Sequence, residues 1–341
     1  MKKRAINKEG TRLNRLIDFI ALRRWIIPLV LILLYCIIFA ILYPQIFLTS
    51  YNFSSLLLEF SIPSFVVIGM AIQLINGEID LSVGYVVMFS GTAAATLIVY
   101  GFPVWQAAAI VIAFCFVMGI ILGTLVSVVG INSFIGTLGF GMIYYGLGLI
   151  FFEYGFNKGI ANADGIDLSH LPDEFKQISQ GMAGPVQYPV IFALVVIVTF
   201  IILMNKTKFF KNYYYIGMNK EAANLSGINV KFVKGFAFVL SSTLSAIAGI
   251  LLVSRMGGAA TTLGVGMELK AITAVVIGGI SFKGGRGTMT GAICGGLFVY
   301  CVSNGLRIAS APSSYYKVIE GAILLFAVIL DAQFSKRKVV G

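Results

Sequence analysis

Of 341 residues, 58% are hydrophobic and 11% charged, and the mean hydropathy is +0.94. A soluble domain carries about 25% charged residues, so this chain has too little polar surface to cover itself in water, and lipid must be its solvent. The net charge of +11 is gathered rather than spread: nineteen of the 25 Lys and Arg lie in residues 1–24, 205–234, 281–287 and 336–341. That placement fits segments held on one side of a membrane, and no aromatic-studded basic surface accompanies it, which argues against nucleic acid. Cys36, Cys115, Cys294 and Cys301 stand singly in apolar runs and His170 is the one histidine, so neither a disulfide framework nor a metal site is expected.

Residues 1–24 form a basic, polar N-terminal segment, and a retained first span follows at 25–43. Further apolar runs of spanning length cover 54–75, 82–100, 103–129, 131–152 and 187–204, then 235–255, 267–282, 288–306 and 314–331. A crossing helix needs about 20 residues. The run at 267–282 is the poorest, since it carries Glu268 and Lys270 and ends in Gly278-Gly279. Parity supports counting it. With ten crossings, all four basic segments share one side and residues 153–186 lie on the other, as the Lys/Arg bias requires. The expected fold is an all-α integral membrane protein with about ten transmembrane helices. Residues 25–331 form one transmembrane domain and 332–341 a cytoplasmic tail. The mildly acidic loop 153–186 is expected to hold short turns and a surface helix.

Several polar groups interrupt the apolar runs. Residues Gly77-Glu78-Ile79-Asp80-Leu81-Ser82-Val83-Gly84 join two spans and hold two carboxylates without a Lys or Arg. Two readings stand: a short turn in which Asp80 or Ser82 caps the next helix, or a pathway lining, because intramembrane carboxylates mark water-filled routes. Glu268 and Lys270 are expected near the outer end of their helix, with Lys270 reaching toward the interface; two apart, they do not share a helix face. Glu320 lies deeper and is expected to face water and ligand or to pair with another span. The sequence shows no inverted pair of broken-helix motifs. The glycine-rich stretch 278–287 lacks the Lys-Ser/Thr pair of a nucleotide-binding loop, so any ATP-driven work must borrow its motor.

On the basic side, Asn219 is placed to cap a short helix with Glu221 in its first turn and Gly227 as its stop. Here the sequence resembles a family. Glu221-Ala222-Ala223-Asn224-Leu225-Ser226-Gly227 is similar to the EAA-and-Gly signature of bacterial ABC importer permeases, in the branch of ribose, xylose and galactose permeases. Gly77 to Gly84 resembles that branch's GGIDLSVG block and Phe134-Ile135-Gly136-Thr137-Leu138-Gly139 its FIxTLG block. Ala274 to Gly287 resembles its AVVIGG…GGRG block. The blocks fall in family order over about residues 50–331. There are departures: Glu78 stands for a glycine, Lys270 reverses a charge, and Thr207-Lys208-Phe209-Phe210-Lys211 replaces a TxFGR-like approach to the loop.

The resemblance implies the ten-span importer permease fold and a transport subunit that is not itself an enzyme, in a bacterial inner membrane with both termini cytoplasmic. The implied cargo is a simple sugar delivered by an extracytoplasmic solute-binding protein. The implied partners are a second permease subunit, the same or related, and two cytoplasmic ABC ATPases or one fused tandem. ATP and Mg are bound there, with no cofactor in this chain. Asn219, Glu221, Ala222, Ala223 and Gly227 become the ATPase-coupling residues. Glu78, Asp80, Ser82, Phe134, Thr137 and Glu320 become candidates for pathway or gating. A nucleoside or furanone-like cargo on the same fold is the nearest alternative, and a proton-coupled secondary transporter the more distant one.

Overall fold

The computed structural model describes residues 25–157, 161–162, 165–167 and 171–337. The basic segment 1–24 lies outside the described residues, as do parts of the 153–186 loop, His170 among them, and residues 338–341. All ten expected spans are built on helices: α1 (Ile26–Leu42), α2 (Ser50–Ile75), α3 (Val83–Val99), α4 (Val104–Thr124) and α5 (Ser133–Asn157). After α6 (Asp173–Gln180) come α7 (Tyr188–Lys206), α8 (Lys208–Met218), α9 (Lys220–Leu225) and α10 (Val230–Met256). The chain closes with α11 (Met267–Ile277), α12 (Met289–Ile308) and α13 (Ser313–Arg337). Of these, α2, α5, α7, α10, α12 and α4 with its wider final turn are long and apolar enough to cross a bilayer unaided.

Apolar surface sorts the helices into layers. In the most apolar stretch of α2, 78% of residues are buried, against 22% in α7, so α2 is central and α7 faces lipid. At the centre α2 crosses α10, where a Cβ on Gly69 would lie 3.0 Å from Ser241 Cα. Small residues allow this approach, which is how membrane helices gain packing without a hydrophobic drive. α2 continues through Pro63 without a break. Outward-facing apolar side chains on α1, α4, α5, α7 and α13 make the lipid belt.

Two crossings are not continuous helices, which corrects the expectation that no such pair exists. α11 has 11 residues, about 16 Å at 1.5 Å per residue, or half of a 30 Å hydrocarbon core. Residues 257–266 complete that crossing as irregular chain, beginning in β5 (Gly258–Ala259), which pairs with β2 (Gly165–Asp167) of the 153–186 loop. In the other case α2 ends at Ile75 and α3 starts only at Val83, with residues 76–82 non-helical between them. Each irregular stretch has buried residues, Asn76, Asp80 and Ser82 in one and Ala259, Leu263 and Gly264 in the other, and such backbone is tolerated where protein surrounds it.

The N-terminal ends of α3 and α11 meet. Any side chain on Gly84 would collide with the Gly264 carbonyl and the Glu268 carboxylate. The two halves of the chain therefore repeat one plan in opposite directions. A central helix (α2, α10) leads into a broken crossing (α3, α11), then a long helix (α4, α12), then a peripheral helix packed on the broken one (α5, α13). This is the inverted-repeat architecture used by many transporters.

Among the described residues, parts of two basic segments, 205–234 and 281–287, share a face with the C-terminal part of α13. Gly285 N donates to Ile75 O at 2.8 Å, and Gly217 of α8 packs on the same pair. The C-terminal part of α13 reaches the 281–287 loop through Asp331, which accepts from Phe282 N at 3.0 Å. The helix extends to Arg337, through the first six residues of the expected tail at 332–341. On the far face the 153–186 loop contributes α6, packed under Ser254 and Leu251 of α10 (Ser254 Oγ to Phe175 O 2.6 Å, Ser179 Oγ to Leu251 O 2.8 Å), and the hairpin of β3 (Met182–Ala183) and β4 (Val186–Gln187). Its β1 (Ala161–Asn162) pairs with β2.

Candidate functional site

The capped surface helix forms as its sequence dictates. Asn219 Oδ1 accepts from Ala222 N at 3.0 Å, Ser226 Oγ donates to Ala222 O at 2.8 Å, and Gly227 turns the chain at φ +83°, where a Cβ would be strained. Asn229 then caps α10 through Phe232 N at 3.1 Å. Glu221 and Ala222 are exposed, whereas Ala223 is buried against the body of the protein. Of the two alanines only Ala222 faces outward, which separates residues that the motif groups together. Beside it stands Leu225, within the motif but not among the expected coupling residues, with an apolar side chain 89% exposed. A 470 Å³ groove runs between α8 and α9, lined by Tyr215, Met218, Asn219, Ala222, Ser226 and Ile228.

Helix α8 was also missed. Its Phe210, Tyr213 and Ile216 recur at helical spacing and are buried, a pattern disguised by the surrounding lysines. One residue on, Gly217 touches Ile75 and Gly285. The glycine-rich loop earns its composition here: Gly284 and Gly285 have φ of +79° and +69°, and a Cβ on Gly284 would lie 2.8 Å from Gly77 Cα. The loop is a backbone-to-backbone joint rather than a phosphate cradle. The surface helices thus stand directly on the base of the broken crossing 76–99.

From that base, residues 76–82 climb along α10. Glu78 pairs with Lys234, both largely buried, and Asp80 reaches Ser241, seven residues further along the same helix. Asp80 is fully buried. Its Oδ1 accepts from Ser82 N at 3.0 Å and Ser82 Oγ at 2.6 Å, and its Oδ2 from Ser241 Oγ at 2.7 Å. Ser241 lies eleven residues into α10, about 16 Å from its start, so the chain has risen to mid-depth before α3 begins. Ser82, at the N-cap position of α3, makes no side-chain cap bond of its own, and Asp80 accepts from its backbone N–H at the head of that helix. The carboxyl group is a clasp, holding an extended segment to a central helix.

The remaining candidates fall apart in space. Thr137 is buried and its Oγ donates to Phe134 O at 3.3 Å, while Phe134 belongs to an exposed apolar stripe of α5 with Ile135, Leu138 and Met142. Glu320 pairs with Lys270 at 2.7 Å and also lines an open cavity between α11, α12 and α13. Lys270, partly exposed, turns toward Glu320. Glu268, in the first turn of α11, leaves its Oε2 buried and without a hydrogen-bond partner among the described residues. Two of the three departures from the family pattern are each matched within the fold, Glu78 by Lys234 and Lys270 by Glu320. Among the described residues no group of three His, Cys, Asp or Glu side chains converges as metal ligands would, and the four cysteines are free.

A many-span helical membrane protein with an inverted repeat, paired broken crossings and a capped helix on one face has the construction of a transport permease. Comparison with known proteins agrees. Residues 52–328 match the family described as branched-chain amino acid transport system / permease component. The chain is 32% identical over 304 residues to the D-allose transport system permease protein of Escherichia coli K12, covering 88% of this chain and 89% of that one. It is 33% identical to the ribose import permease protein of Bacillus subtilis 168, covering 88% and 90%. It is 32% identical to the galactose/methyl galactoside import permease protein of Escherichia coli K12, covering 86% and 89%. The chain belongs to this family of transport-system permeases, and it is a multi-pass membrane protein.

Proposed function

We propose that this chain is the membrane-spanning subunit of an ATP-driven importer for a simple sugar of the ribose, allose or galactose kind. In this reading it works beside a second permease subunit, the same or related, in a bacterial inner membrane. An extracytoplasmic binding protein delivers the sugar, and two cytoplasmic ATPases, or one fused tandem, bind ATP and Mg and supply the work. The face carrying residues 205–234 and both termini is cytoplasmic, as the distribution of Lys and Arg favours.

One observation carries the reading. The exposed helix α9 is joined through α8 and Gly217 to Ile75 and Gly285, at the root of a crossing that is extended rather than helical. A helix of six residues is marginal on its own, so a partner that seats Glu221, Ala222 and Leu225 gains a lever on residues 76–82. Alternating access then needs the partner to favour one arrangement of the two repeats over the other. Sealed vesicles containing this chain, its neighbouring ATPase and binding protein test the reading. Uptake of D-ribose, D-allose, D-galactose or L-arabinose is expected only with binding protein outside and ATP inside. Uptake of none of them, or uptake driven by a proton gradient without ATP, contradicts it.

A further inference from the structure

A second pair of charged side chains lies away from the α10 seam. A 540 Å³ cavity lies between α11, α12 and α13, and the Lys270–Glu320 pair is in its wall with Thr273, Ser303, Tyr316 and the apolar Leu269. Each partner's side chain is a little over a quarter exposed. Ionised groups at this depth are costly in lipid and belong in protein-lined, watered space. A cavity of several hundred cubic ångströms with a few convergent polar groups on an apolar wall is the usual form of a small-molecule site.

The pair is also the tie between two elements. Helix α13 rests on α11 and barely touches α12, so the cavity is the gap beneath it. At one end α13 is held to α11 by Glu320 and Lys270. At the other, Asp331 accepts from Phe282 N at 3.0 Å and Ser281 Oγ at 3.3 Å. Lys270 also lies 5.9 Å from the centroid of the Tyr300 ring, which holds its ammonium on the cavity side of α11. One Lys–Glu contact leaves spare donors on the ammonium and spare lone pairs on the carboxylate. Adjacent hydroxyls of a sugar ring match that combination, one accepting from Lys270 and its neighbour donating to Glu320. The C–H face of the ring would lie on Leu269.

We propose that the Lys270–Glu320 pair is a solute-contacting latch in the transport path: vicinal hydroxyls of a neutral sugar insert across it and free α13 from α11 at that end. The Asp331 contact then serves as the pivot. This rests on the importer reading above and assigns that reading's sugar to a place and two residues.

Two readouts test it. In a chain with Cys36, Cys115, Cys294 and Cys301 replaced by alanine, Val302→Cys places a thiol in the cavity wall, and its alkylation by a small neutral maleimide is timed with and without each of the four sugars. In vesicles, uptake by Lys270→Met and Glu320→Gln is compared with the parent at equal ATPase co-purification. The sugar that the parent accumulates is expected to slow alkylation at least fivefold, and each variant to lose at least tenfold in uptake. Unchanged alkylation in the presence of that sugar overturns the latch, as does parental uptake by both variants. If the parent accumulates none of the four, the importer reading fails on the uptake readout. The alkylation readout still decides the latch: protection by any of the four supports a sugar site, and protection by none overturns it.

Discussion

The two broken crossings share a plan and differ in how they are held. Residues 76–82 are held along α10 by the Glu78–Lys234 pair and the Ser241–Asp80 hydrogen bond, and two bonds from Ser82 fix the buried carboxyl group. Residues 257–266 and α11 lack such a seam. Glu268 keeps a buried oxygen without a partner among the described residues, and Lys270 ties α11 to a helix that overlies a cavity. In the proposed mechanism the first crossing is a strut that stands on the surface helices and transmits their position, and the second is a moving part beside a cavity that a solute fills.

The largest effect should come from breaking the strut. Asp80→Ala leaves the buried Ser241 and Ser82 donors without an acceptor, and each such loss costs about 1–3 kcal/mol, for a total of about 3 kcal/mol or more. Thermal unfolding in detergent should show a clear fall in midpoint and a low yield of assembled protein. Asp80→Asn keeps one acceptor oxygen and should cost about 1 kcal/mol, within the range for a single hydrogen bond. If Asp80→Ala unfolds at the parental temperature, the clasp is not holding the segment.

The corresponding change in the second crossing should be small. Glu268→Gln keeps the shape of the side chain and removes no hydrogen bond from Oε2, so its effect on stability should stay within about 0.5 kcal/mol, as for substitutions that touch no special feature. The same unfolding measurement applies. A loss as large as that of Asp80→Ala would show that both crossings are struts and would erase the distinction.

Much of this architecture is legible in the sequence because hydropathy and charge act locally. The ten apolar runs and their parity follow from the bilayer's demand for length and from the Lys/Arg bias. The surface helix follows from Asn219, Glu221 and Gly227, whose capping roles are played within nine residues. The broken crossings are not legible, because residues 76–82 resemble an ordinary polar turn until their partners are known. Lys234 and Ser241 lie more than 150 residues away in the chain, and Glu320 is fifty residues from Lys270. The shortness of α11 is hidden as well, since its apolar run continues into the glycine loop. Ala222 and Ala223 carry identical side chains, and only the direction of the helix decides which one a partner can meet.

The central claim is that the exposed face of α9 receives a motor and passes its movement to residues 76–82. Ala222→Trp tests it most directly, because the side chain points outward and the substitution leaves the buried Ala223 contact untouched. In vesicles with ATPase and binding protein, the variant should insert and unfold like the parent. It should nevertheless bring down at least tenfold less ATPase and lose sugar-stimulated ATP turnover in the same proportion. Parental ATPase binding and parental stimulated turnover in Ala222→Trp would make α9 a mere connector and contradict the account.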